Sequence, residues 1–325
     1  MRLLRLRSAW GLAGLRSGDR RRLFEQLRIA GWDGVEGSLH DIGGNREERM
    51  QCVTAAADQG CSLVLSAYSS WHSYEGAYQA RLVHAHAAAL ESELQEIAEL
   101  HTTAAPLSPI IRINAHSGTD EWTESEAVDY FGAVEASAQS HGDALPPISH
   151  ETHRGRYLCC PFATARLTQQ VPSLRLTSDF SHWVVKCERL LDTWEERSLL
   201  ESAIAPSVDH IHARIGTRQA PQVGHPADRA VAPSAARHYD WWRTCWSARE
   251  AASFSSRDAV LTATIEYGPV EVDASSKEYL GYTPVDRDGE PAWRLDHEEL
   301  LRASRDALDE QFQEWHGDSQ RMAGW

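Results

Sequence analysis

Ile148-Ser149-His150-Glu151-Thr152-His153-Arg154 is a short run of β-branched and polar residues that closes on ligand-type side chains. It reads as a strand over Ile148–Thr152 ending in Glu151 and His153. Three later runs end in the same way. Leu174–Ser178 meets Asp179, Val208–Ala213 carries His210 and His212, and Val260–Ile265 meets Glu266. Upstream, strands are expected at Ser8–Leu12, Trp32–Gly37, Cys61–Ala67 and Ile110–Asn114, the second carrying Glu36 and the fourth followed by His116 and Asp120. Helical stretches lie between them: Asp19–Ile29, Glu75–His101 with Leu90, Leu94 and Ile97 on one face, and Trp122–Ala138. Eight strands alternating with helices predict a parallel sheet closed into a (β/α)8 TIM barrel, one domain over residues 1–325 without internal repeat or low-complexity linker.

Composition narrows the function. The 325 residues are 42% hydrophobic and 24% charged, a globular balance. With 32 Lys and Arg against 47 Asp and Glu, the net charge of -15 opposes phosphate-backbone binding, so no nucleic-acid partner is expected. No run approaches the roughly 18 apolar residues that span a bilayer, so no membrane partner is expected either. The six cysteines show neither scaffold density nor CxxC pairing, and nothing marks Cys159-Cys160 as a nucleophile; a reducing, cytoplasmic setting is expected. Seven Arg against only Asp19 in the first 22 residues resemble a transit peptide in composition, but the strand and helix pattern competes with that reading.

Glu151, Asp179, His212 and Glu266 fall at the ends of consecutive strands and can therefore meet at the C-terminal mouth of one barrel. Three carboxylates and one imidazole make a hard, oxygen-rich donor set. It suits one divalent Mn²⁺, Mg²⁺ or Co²⁺ and suits Zn²⁺ less well. The bland alternative is four unrelated surface charges.

The motifs Ser149-His150-Glu151-Thr152-His153-Arg154, Ser178-Asp179-Phe180-Ser181-His182, Asp209-His210-Ile211-His212-Ala213-Arg214 and Ile265-Glu266-Tyr267-Gly268-Pro269 resemble the xylose-isomerase-like TIM barrels. That family includes hydroxypyruvate isomerases, ketose 3-epimerases, inosose dehydratases and endonuclease IV. The resemblance covers Trp10 to about Leu308 and implies that the quartet binds the metal, with His182 completing an Asp-x-x-His element. It further implies that Glu151 and Glu266 are the catalytic pair, moving a proton at the carbon beside a substrate carbonyl. A sugar, ketose or cyclitol-like substrate is then expected. Elimination, as in dehydratases and C-glycoside-cleaving lyases, is the runner-up, and a non-catalytic metal-binding barrel is the third reading. The net charge of -15 argues against the DNA-binding branch.

Other residues carry two readings each. His182 contacts a substrate oxygen or starts a helix facing solvent. His210 shares a strand face with His212, as support beneath the metal or as a core histidine. Arg154 and Arg214 bind a substrate anion or offset the acidic site. His116, Asp120 and Glu36 reach the mouth or fill loops, and His153 is a pocket residue or a spare ligand. Some of Trp10, Trp71, Trp122, Trp183, Trp241 and Trp242 wall a sugar-sized pocket or all pack the core. The long stretches Gly216–Ser234 and Tyr267–Pro291 follow the seventh and eighth strands and are expected to form a lid that sets substrate size. A homo-oligomer is compatible with all of this.

Overall fold

The computed structural model describes residues 1–70, 81–252, 260–268, 271–273, 278–279 and 297–323. Eight parallel strands close a barrel in sequence order: β1 (Arg2–Ser8), β2 (Gly34–Ser38), β3 (Ser62–Tyr68), β4 (Ile110–His116), β5 (Ile148–Glu151), β6 (Leu176–Ser178), β7 (Val208–His212) and β8 (Val260–Ile265). Closure is made by β8 on β1, where Leu6 is level with Thr264. The (β/α)8 architecture expected from the alternation is the architecture observed.

The first strand lies earlier than expected, at Arg2–Ser8 rather than Ser8–Leu12. Its Leu and Arg alternate because its two faces differ. Leu4 and Leu6 pack with Val64 inside the barrel. Arg5 and Arg7 point to the helical layer, where Arg5 pairs with Asp33 at 2.9 Å and Asp309 at 3.0 Å, and Arg7 pairs with Glu298. The basic N-terminal run is thus a barrel strand with acidic partners.

The helices that cover the barrel include α1 (Arg20–Ile29), α2 (Leu39–Ile42), α3 (Arg46–Asp58), α4 (Val83–Ala104), α5 (Glu124–His141), α6 (Pro161–Gln170), α7 (Phe180–Cys187), α8 (Trp194–Leu199), α9 (Ala232–Ala252) and α10 (His297–Ala323). Leu90, Leu94 and Ile97 of α4 are buried against the sheet, each such aliphatic contributing roughly 1.5–3 kcal/mol. The expected start of that helix, at residue 75, lies outside the described residues. α5 begins two residues later than expected because Thr123 and Glu126 form a reciprocal capping box. Trp122, Trp183, Trp241 and Trp242 are buried in the layer between helices and barrel; Trp71 lies outside the described residues.

The stretch after β7 is shorter than the reading Gly216–Ser234, since α9 has begun by Ala232. It turns back on itself through Thr217 N to Ala220 O (2.7 Å) and Val223 N to Ile215 O (3.0 Å). Of the stretch after β8, Tyr267 and Gly268 are buried, residues 271–273 pair antiparallel with 278–279, and the rest to Pro291 lies outside the described residues. Among the described residues no helix is long and apolar enough to cross a membrane.

Candidate metal centre

Every second residue of a barrel strand faces the lumen, and here that period selects polar side chains: Glu36 from β2, Asn114 and His116 from β4, Glu151 from β5, His210 and His212 from β7, and Thr264 from β8. The period continues just past the strand ends to Asp179, Arg214 and Glu266. One ligand atom each from Glu151, Asp179, His212 and Glu266 lies within 4.8 Å of all the others. His212 Nδ1 is 3.0 Å from Glu266 Oε2 and 3.6 Å from Glu151 Oε1. These three atoms are buried and have no hydrogen-bond partner. Buried polar atoms in this state need compensation, which either a proton on His212 Nδ1 paired with the two carboxylates or a divalent cation at their meeting point supplies. The residues present therefore fit the metal.

Asp179 is held from two sides. As N-cap of α7, its Oδ1 accepts from Ser181 N at 2.9 Å and from Ser181 Oγ at 2.5 Å. Its Oδ2 accepts from Arg214 Nη2. Arg214 also lies 2.9 Å from His182 Nε2 and 3.5 Å from Glu266 Oε2. It thus sits inside the acidic cluster.

The protonation pattern follows from burial and charge. Burial, together with Glu266 and Glu151, raises the Asp179 carboxyl above its ordinary value against the opposing pull of Arg214. Glu151 goes well below the usual carboxylate range: burial opposes this, but His116 and His212 overcome it. Glu266 is lowered too, burial being outweighed by Arg214 and His212. His212 rises well above its ordinary value because Glu36, Glu151 and Glu266 together exceed the cost of burying its charge. Burial lowers His153 to about 3 and, with His153 and Arg214 adding to it, lowers His182 well below its ordinary value, so both are neutral.

A cavity of about 780 Å³ opens above the quartet, bounded by Trp10, Tyr68, His116, His153, Arg154 and Lys186 as well as by Arg214 and Glu266. Arg154, His116, His153 and Asp120 thus reach the mouth, with Asp120 3.7 Å from Lys186. His182 is fully buried behind Arg214, packed on the His153 ring at 4.0 Å, and does not line this cavity. Glu36 borders the cavity floor, but its two oxygens take contacts from Asn114, His212, His210 and Thr264, which leaves little for a substrate. His210 lies beneath His212, bonded to Thr262 Oγ1 at 2.7 Å. No residue of 216–234 lines the cavity. Gly216 abuts Ser181, and Gln222 is hydrogen-bonded to Gly268, so that segment braces the rim.

Asn114, Thr264, Tyr68 and Lys186 belong to this site without having been singled out in sequence. Asn114 spans it: its Nδ2 donates to Glu36 Oε1 and Glu151 Oε2, both at 2.8 Å. The available signal was parity, since Asn114 stands two residues before His116 on one strand.

Neither a family model nor a characterised protein sequence matches the chain. Its fold is that of xylose-isomerase-like TIM barrels. D-psicose 3-epimerase from Clostridium cellulolyticum H10, solved with D-tagatose, is 12% identical with a TM-score of 0.56, over 96% of this chain and 98% of the other. A xylose isomerase-like TIM barrel protein from Mycobacterium smegmatis, solved with magnesium, is 14% identical at 0.53, covering 94% and 97%. The probable 3-DHS dehydratase AsbF from Bacillus anthracis is 13% identical at 0.51, covering 95% and 99%. At these identities the likeness establishes the fold.

Proposed function

We propose that the chain is a divalent-metal-dependent isomerase or epimerase that moves a proton at a carbon beside a carbonyl of a sugar, ketose or cyclitol-like substrate. The observation that carries the reading is the convergence, beneath one cavity, of two glutamates on a three-carboxylate, one-histidine donor set. Mn²⁺, Mg²⁺ or Co²⁺ would be held by Glu151, Asp179, His212 and Glu266, and when bound would polarise the carbonyl and the neighbouring hydroxyl. Solved barrels of this fold that are described as epimerases, a dehydratase and a magnesium complex are in keeping with it.

The protein's own groups account for the proton. Glu151 and Glu266 are both lowered into the ionised form, as a base must be, and they enter from β5 and from the end of β8. Asn114 and His116 fix Glu151 Oε2, His116 Nε2 standing 2.9 Å away, which turns Oε1 toward His212 and the metal position. One ionised glutamate takes the proton and, as the acid so formed, returns it to the adjacent carbon in an isomerisation; inversion at the same carbon requires the opposite glutamate to enter the turnover carrying a proton of its own. Arg214 offsets the charge on Asp179 and shares Glu266, which limits repulsion among three carboxylates in a buried site. A positioned base contributes roughly 10²–10⁴-fold, so Glu151→Gln and Glu266→Gln should each lower kcat by about that factor.

A cavity of about 780 Å³ is large enough for a drug-sized ligand, so a glycoside fits as readily as a single sugar. That size favours elimination as the second reading, in which the same proton removal expels a leaving group on the next carbon. The partner is a small carbohydrate-like molecule. Six free cysteines are in keeping with a cytoplasmic setting. The test is incubation of metal-loaded protein in D₂O with ketoses, inososes and 3-keto-glycosides, followed by NMR. Deuterium in an isomeric product supports isomerisation, loss of water or an aglycone without an isomer supports elimination, and no exchange with any compound overturns both.

A further inference from the structure

We propose that Glu36 is a positioning residue: from inside the barrel it fixes the tautomer and the ring plane of His212, so that Nδ1 is presented to the cation. The proposal rests on the metal-centre reading above. Glu36 is 174 residues from His210 and 228 from Thr264 in sequence, and the barrel brings all three together beneath the mouth.

The carboxylate of Glu36 is only 4% exposed and is divided between two tasks. Oε1 accepts from His212 Nε2 at 3.0 Å and from Asn114 Nδ2 at 2.8 Å. Oε2 is met by His210 Nε2 at 3.1 Å and by the Thr264 hydroxyl. The Asn114 amide and the Thr264 hydroxyl donate, and beside an acceptor-only carboxylate each imidazole Nε2 must carry its proton as well. Such a site accepts a carboxylate, which has acceptor positions and no donor, and rejects an amide, whose NH₂ would face N–H or O–H groups. The Nε2 proton of His212 is thereby committed to Glu36, and the lone pair needed for a metal is left on Nδ1, the atom facing Glu151 and Glu266.

His210 supports the same arrangement from below. Its Nε2 faces Glu36 Oε2 and so must carry the proton, which leaves Nδ1 to accept from Thr262 Oγ1 at 2.7 Å, a closer partner for that hydroxyl than Asp209 O at 3.4 Å. Asn114 connects the two layers, since the same amide nitrogen donates to Glu36 and to Glu151. Removing the acceptor at 36 should therefore disturb both a ligand imidazole and a ligand carboxylate, while leaving all four quartet side chains in the protein.

The test uses the full chain and Mn²⁺ alone. Titration calorimetry compares the wild type with Glu36→Gln and Glu266→Ala, each with a thermal melt. Loss of a group hydrogen-bonded to a metal-ligating imidazole typically costs about 10–100-fold in affinity, and a loss of that size is expected for Glu36→Gln. Wild-type Mn²⁺ affinity in a folded Glu36→Gln protein, with binding lost in Glu266→Ala, overturns the role of Glu36 and leaves the metal centre standing. Undiminished binding in Glu266→Ala overturns the centre itself. Should Glu36→Gln not fold, long-range ¹⁵N–¹H correlation on Mg²⁺-saturated, ¹⁵N-histidine-labelled wild type decides: a proton on Nε2 of His212 is expected, and a proton on Nδ1 refutes the proposal.

Discussion

His212 Nδ1 lies 3.0 Å from Glu266 Oε2, yet the two atoms are buried and not aligned as a hydrogen bond. Their approach is that of two ligands toward a shared centre. In the absence of a cation, the same closeness makes His212 a strong base.

That basicity sets a pH dependence. Glu36, Glu151 and Glu266 outweigh the cost of burial and raise His212 above its ordinary value, so a cation binding at Nδ1 must displace a proton. Raising the pH removes that competition. Mn²⁺ affinity should climb about tenfold per pH unit below the point where His212 itself titrates, with about one proton released from His212 per ion bound. Calorimetry in buffers of different ionisation heat measures both quantities. A flat affinity with no proton release would mean that His212 is not a ligand.

Arg214 and Asp179 give a second expectation. Both are buried, and removing one partner of a buried ion pair typically costs about 3–5 kcal/mol. Arg214→Met should destabilise the metal-free protein by about that amount, and saturating Mn²⁺ should restore part of it, because the ion takes over the neutralisation of Asp179. Thermal melts with and without Mn²⁺ check this; an unaltered melting temperature in the metal-free variant would contradict it.

The cavity wall supplies a third. Gly268 packs beneath Trp10 so closely that a Cβ there would come within 2.5 Å of the indole, and Gln222 pins Gly268 through N (2.9 Å) and O (3.2 Å). Gly268→Ala should push Trp10 toward the cavity, raising KM severalfold while leaving Mn²⁺ affinity intact. Unchanged KM in a folded variant would show that Trp10 has no contact with substrate.

The barrel and the convergence of four side chains at its mouth were legible because each of the four closes a strand, where short-range pattern and chemistry coincide. Glu151, Asp179, His212 and Glu266 needed only strand order to be brought together. The work of Glu36 and Asn114 was not legible, because it depends on which lumen side chains meet across the barrel, and no local period encodes that. Strand β1 was misplaced because its Leu-Arg alternation resembles a basic leader until Asp309 and Glu298, about three hundred residues away in sequence, are seen to pair with it. The bracing of the rim by 216–234 was not legible for a related reason. Length and Pro-Gly content mark a surface segment, whereas its anchoring by Gln222 on Gly268 is a tertiary contact.

Metal content is the most direct measurement. Elemental analysis of purified protein after Mn²⁺ loading and desalting, for wild type and for the Glu151→Ala, Glu266→Ala double variant, should give one ion per wild-type chain and none in the variant, with both folded. Full occupancy in the folded double variant would contradict the proposed centre and the proton chemistry built on it.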